Sequence, residues 1–173
     1  MSLTLNDCID PWKEAGRSTL VKGEISIKQL PRLAQVVLEN DESISAQLSF
    51  EKNHLHLPTL TGEIAGLLTL TCNRCLQSMQ LPVTHQFELV FSRRGLTTQE
   101  VLEQFDVHEV ADERVCLSEI IEDELLLLIP QVPMHFDPVC IIETEFGEIS
   151  DTQSTQEERE NPFAVLASLK KHS

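Results

Sequence analysis

The chain holds no tyrosine, one tryptophan and 6 glycines in 173 residues. So few glycines leave little material for phosphate-cradling loops, and no G-x-x-x-x-G-K-[ST], G-x-S-x-G or H-E-x-x-H segment occurs. With aromatic residues at 5%, a row of stacking platforms for single-stranded nucleic acid is not evident. Apolar runs are short as well. The longest, residues 125–129, is far below the roughly 20 residues of a membrane span, so no membrane role is expected. The first ten residues show no basic cluster ahead of an apolar block, which argues against a signal or transit peptide and for the cytoplasm as the expected location.

Positive charge is the scarcest resource. Against 28 Asp+Glu stand 13 Lys+Arg, a net charge of −15. The imbalance is not uniform: residues 1–95 carry 9 basic and 10 acidic groups, whereas residues 96–173 carry 4 and 18. An acidic half repels phosphate backbones and attracts basic proteins. Any RNA contact is therefore expected from the first half, with Lys22, Lys28, Arg32, Arg74, Arg93 and Arg94 as candidates, while scattered solvated charges are the plainer reading of the same residues.

What is present is a change of period along the chain. Val21, Ile25 and Ile27 share one parity, as in a strand with one buried face. Leu30, Leu33, Ala34, Val37 and Leu38 then follow the spacing of an amphipathic helix, with Pro31 early enough to be tolerated. Ile44, Ala46, Leu48 and Phe50 alternate with Ser43, Ser45, Gln47 and Ser49, a strand with one wet face. Leu55 with Leu57, residues 64–72, and the series Leu81, Val83, Phe87, Leu89 and Phe91 extend the pattern, broken at Asn53 and at residues 58–62. On this pattern His54 and His56 belong to the wet face of a strand. Val101, Leu102 and Phe105 indicate a short helix or ordered loop. Ser118 is placed to cap a helix bearing Glu119, Glu122 and Asp123 near its start and Ile120, Ile121, Leu125 and Leu128 on its apolar face, ended by Pro130. The expected fold is α+β: an antiparallel β meander or partial barrel with two packed helices and a flexible acidic C-terminal tail. Residues 1–142 form the domain, 143–160 an acidic linker poor in apolar residues, and 161–173 a short helical motif that Asn161 and Pro162 begin. Within it Phe163, Val165, Leu166 and Leu169 provide an apolar stripe suited to docking on a partner.

Five cysteines at uneven spacing fit a secreted disulfide framework poorly, so free thiols or a metal site are expected. Cys72-Asn73-Arg74-Cys75 lies between two predicted strands, where a turn aims two thiolates at one point. His135 and Cys140 have the spacing to supply the other half of a tetrahedral zinc site, with Cys116 in reserve. Unmetallated turn cysteines are the competing reading, and a redox pair is disfavoured because no βαβ unit surrounds the motif. Catalytic templates are missing, and the Glu122-Asp123-Glu124 run serves a helix dipole and solubility better than acid–base chemistry.

Cys72-x-Arg74-Cys75, the acidic-then-apolar segment 119–129, Pro130-x-x-Pro133-x-His135, Cys140 and the closing block Asn161-Pro-Phe-Ala-Val-Leu-Ala-Ser-Leu-Lys170 together resemble the bacterial YceD family along nearly the whole chain. Members are called large ribosomal RNA subunit accumulation proteins. The resemblance implies a non-catalytic role in synthesis, processing or stability of 23S rRNA, with a ribosomal protein or assembly factor of the large subunit, or a 23S rRNA precursor, as partner. An RNA-processing enzyme or nuclease with an unrecognised site is the alternative class. Related proteins often carry a second C-x-x-C near the position of Cys140, where this chain has a single cysteine.

Overall fold

Alternation of apolar and polar side chains over four long stretches builds a sheet with one buried face. The computed structural model describes residues 3–39, 41–95, 97–111, 113–136 and 140. All of them belong to one compact unit, residues 1–142; residues 143–173, with the expected linker and terminal motif, lie outside the described residues. The elements run β1 (Cys8–Ile9), α1 (Pro11–Ala15), β2 (Leu20–Ser26), two 3-10 turns (Ile27–Gln29 and Leu33–Gln35), β3 (Ser43–Lys52), β4 (Pro58–Thr71), β5 (Ser78–Arg93), α2 (Gln99–Gln104), β6 (Val107–Val110), β7 (Val115–Cys116) and α3 (Leu117–Leu128).

The main sheet has the order β2-β3-β4-β5-β6. Its first four strands form the expected antiparallel meander, whereas β6 adds in parallel to the end of β5. Among the described residues β2 and β6 remain edges, so the sheet does not close into a barrel. In β3, Ile44, Ala46, Leu48 and Phe50 are buried and Ser43, Ser45 and Gln47 exposed, as the two-residue period requires. Leu60, Ile64, Leu68, Phe87 and Phe91 continue that core, and the Phe50 and Phe91 rings stack with centroids 6.4 Å apart. Helix α3 covers it with Leu117, Ile120, Ile121 and Leu125.

Several sequence expectations give way here. No helix forms over residues 30–38. Leu30, which precedes Pro31, takes an extended φ of −114° and ψ of 85°, because the proline ring disfavours helical backbone before it. The segment holds one 3-10 turn, Leu33–Gln35, and follows another, Ile27–Gln29, with Leu30 and Leu33 wholly buried and Leu38 exposed. Residues 58–62 do not break the sheet; β4 begins at Pro58. The side chain of Phe87 lies across Gly62, its cross-strand partner, in the space a Cβ would need. Gly62 is thus a close-approach position inside a strand rather than a turn signal. His54 and His56 sit not on a strand but in the connection from β3 to β4, where the Asn53 Oδ1 accepts the Leu55 and Leu57 N–H groups at 3.0 Å each. Residues 99–104 are helical, but none of their side chains is buried. Finally, α3 starts one residue before Ser118, which does not cap it, and ends at Leu128, with Ile129 extended ahead of Pro130 as expected.

Candidate functional site

Strands β4 and β5 form a long hairpin, and its tip carries the C-x-x-C. Cys72 and Cys75 fall in the connection between them, where the Cys72 N–H donates to the Gln77 carbonyl at 2.9 Å and the Leu76 N–H to the Cys72 carbonyl at 2.9 Å. Leu76 takes a positive φ of 60°, which curls the turn so that both sulfurs face one side. Pro130 ends α3 and releases the chain toward this tip, and the Asn73 N–H donates to the Pro133 carbonyl at 2.8 Å. That bond brings His135 and Cys140 to the cysteines.

The Cys72 and Cys140 sulfurs lie 3.6 Å apart, and the Cys75 sulfur lies 3.5 Å from His135 Nδ1. All four donor atoms fall within 4.8 Å of one another. Tetrahedral zinc with bonds of about 2.3 Å to sulfur needs sulfurs about 3.8 Å apart. His135 Nε2 is 3.2 Å from the Ser78 carbonyl oxygen; donating its proton there leaves Nδ1 with a lone pair toward the cysteines. Cys72 and Cys140 are buried and Cys75 and His135 half-buried, so the cluster is closed on one side. Burial opposes ionisation of Cys72, but the N–H groups of Cys75, His135 and Arg74 and the Cys140 side chain outweigh it and bring the thiol down to about 5. Burial and the sulfurs of Cys75 and Cys72 push Cys140 up to about 12. A bound cation would favour the thiolate form of each cysteine that ligates it. These residues can hold a metal ion.

Cys116, the reserve ligand, is elsewhere: it faces Cys8 in the β1–β7 ladder and is disulfide-bonded to it. The expectation of free thiols or metal ligands is corrected for this pair, and Cys72, Cys75 and Cys140 are the free cysteines. Nothing in the spacing announces this pair, since 108 residues separate the two and only the strand register opposes them.

The six basic candidates do not gather. Lys28 pairs with Asp41 and Arg32 with Glu122 and Asp123; Arg74 is in the cysteine turn; Lys22 lies on the β2 edge, three strands from β5. Only Arg93 and Arg94 remain together, at the end of β5. The partner-binding candidates Asn161, Pro162, Phe163, Val165, Leu166 and Leu169 lie outside the described residues.

The acidic run of α3 does more than serve a dipole. Glu122 is buried and accepts from the Arg32 N–H at 2.6 Å, the Leu33 N–H at 3.0 Å and Arg32 Nε at 2.8 Å. Burial opposes its ionisation, but the Leu33 N–H and the Arg32 guanidinium and N–H hold the carboxyl below its ordinary value. Glu124, also buried, meets His85 Nε2 at 3.2 Å. Acidic residues at both i and i+2 of a helix hide these roles from a pattern search, because only one of the faces is expected to be dry.

An α+β domain in which a hairpin tip and the loop after a covering helix converge three cysteines and a histidine is the class that fold and site define, and no described helix is long and apolar enough to cross a membrane. Residues 60–170 match the family described as large ribosomal RNA subunit accumulation protein YceD. A protein of that name from Haemophilus influenzae is 30% identical over 170 residues, covering 94% of each chain. No solved structure matches this chain. The chain belongs to the YceD family, whose name carries a role in accumulation of the large-subunit ribosomal RNA.

Proposed function

We propose that this chain is a non-catalytic factor of large-subunit biogenesis in the cytoplasm, supporting synthesis, processing or stability of 23S rRNA through contacts with a ribosomal protein or assembly factor. The similarity to the Haemophilus influenzae protein of that name over 94% of the chain carries the reading, with the family match over residues 60–170 taking in most of the hairpin, the cysteine cluster and the terminal block. The strongly acidic second half suits a basic ribosomal protein. The buried carboxylates Glu122 and Glu124 are engaged by Arg32 and His85, an arrangement that suits a structural role in a binding factor. Cys72, Cys75, His135 and Cys140 hold one structural zinc ion that pins the loop after α3 onto the hairpin.

The test is a strain lacking the protein, measured for 23S against 16S rRNA, together with recovery of partners through a tag that leaves the C-terminus intact. Reduced 23S rRNA with co-purification of a large-subunit protein is expected. Unchanged 23S rRNA refutes the reading, and turnover of a 23S precursor by the purified protein replaces it with the enzyme alternative.

A further inference from the structure

The fold assembles a cationic surface that no stretch of sequence displays. Lys13 and Arg17 come from α1 and the turn after it, Arg93 and Arg94 from the end of β5, and Arg114 from the approach to β7; all five are exposed. They line two adjoining surface cavities of about 880 and 330 Å³ that share Asp10 and Glu113 as walls. The smaller cavity is lined by Trp12, the chain's single tryptophan, half-buried, with the Arg93 guanidinium carbon 5.2 Å from its ring centroid.

The local acids are largely committed. Asp10 Oδ1 accepts the Trp12 and Lys13 N–H groups at 3.0 and 3.3 Å. Glu14 is buried, accepts from the Thr19 hydroxyl at 2.7 Å and lies 3.7 Å from Arg17. Arg114 is braced by donating to the Cys8 carbonyl at 2.7 Å, which fixes its direction and leaves other guanidinium protons outward. Counting Asp10, Glu14 and Glu113 against the five cations leaves this face positive on a chain whose net charge is −15. A polyanion is attracted to such a face and repelled by the acidic second half of the chain.

We infer that this face binds single-stranded RNA, its cations meeting successive phosphates while one base stacks on the Trp12–Arg93 pair. Phosphates take Arg forks from several elements at once, and unpaired bases stack on aromatic rings and guanidinium planes alike. The cavities match nucleotide-sized ligands, lying within or near the roughly 300–1,000 Å³ range of ligand clefts. The inference rests on the large-subunit RNA role proposed above and names the surface that would touch the RNA.

Because the chain has one tryptophan and no tyrosine, its fluorescence reports Trp12 alone. The full chain is titrated with a single-stranded oligouridylate of about a dozen nucleotides, roughly the upper range that one small single-strand binding fold covers. Quenching is expected, with log Kd rising against log salt at a slope of about 3.5, near 0.7 for each of five cations. Arg93→Gln with Arg94→Gln lowers that slope to about 2.1 and weakens binding. Lys22→Gln with Lys28→Gln removes the same charge elsewhere and leaves both unchanged.

Absence of quenching at protein and RNA concentrations of about 100 µM, the weak end of non-specific binding, overturns the inference. Equal loss in both double variants overturns it too, as does quenching by polyglutamate but not by RNA, which marks a docking face for an acidic protein. The strain lacking the protein separates the two readings. If 23S rRNA falls in that strain yet the oligonucleotide does not bind, only this surface is wrong; if the oligonucleotide binds as expected and 23S rRNA is unaffected, the biogenesis role fails instead.

Discussion

Replacing Cys72 with serine strikes the cysteine–histidine cluster at its most buried point. The side chain is wholly enclosed, its sulfur is 3.6 Å from that of Cys140, and its thiol is brought down to about 5. Serine nearly preserves volume, so packing loss is small and the loss of a ligand dominates. The loop that the cluster holds has little else to keep it: Val132, Met134 and Phe136 are exposed, Phe136 to 98%, and its bonds to the hairpin are those from Asn73 to Pro133 and between His135 and Ser78. An ion that binds only the folded state adds about 4 kcal/mol at a thousandfold excess over Kd. For a unit of this size that is roughly 12 °C in Tm, at about 3 °C per kcal/mol. Wild-type protein should carry about one zinc per chain, lose about that much Tm to a strong chelator, and give a tetrahedral thiolate spectrum with cobalt. Cys72→Ser should abolish the chelator effect. The pH dependence has a definite sign. Cys140, pushed up to about 12, must lose its proton to ligate, whereas Cys72 is ionised at neutral pH, so metal affinity should rise at least tenfold per pH unit between about pH 6 and 8. A protein that retains no metal and melts identically with and without chelator refutes the site.

Three further outcomes follow from the packing. Glu122→Gln removes the charge from three hydrogen bonds in a buried place and should cost about 2–3 kcal/mol, seen as a Tm lower by roughly 6–9 °C. Since the folded carboxyl titrates below its ordinary value, its contribution is present above about pH 4.3 and is lost as pH falls through the folded value; the variant should therefore show a shallower acid loss, and an unchanged acid midpoint would contradict this role of Glu122. Cys8→Ser should lower stability in oxidising buffer by up to about 5 kcal/mol, the entropy of closing a loop of 108 residues, and change nothing under strong reductant; an equal loss in both buffers would make the effect one of packing. Deleting residues 161–173 should leave the Tm of the domain nearly unchanged while abolishing partner recovery, and a markedly lower Tm would show that this block belongs to the core.

The two-residue and 3.6-residue periods by themselves determined the meander and α3, because burial of one face is recorded locally in every second or every third to fourth residue. They could not place residues 30–38, where Pro31 and the distant Glu122 carboxylate, not the apolar spacing, set the backbone. Nor could they extend β4 back to Pro58, since Gly62 looks like a breaker until the Phe87 ring is laid across it. The cysteine cluster was legible because half of it is a contiguous motif and the other half follows a proline-ended helix at ligand spacing. The Cys8–Cys116 pair, the Arg32–Glu122 contact and the gathering of Lys13, Arg17, Arg93, Arg94 and Arg114 along two adjoining cavities were not. Each joins residues some 80 to 110 positions apart, and such contacts leave no period in the chain; only the strand register and the way α1 and α3 lie on the sheet bring them together.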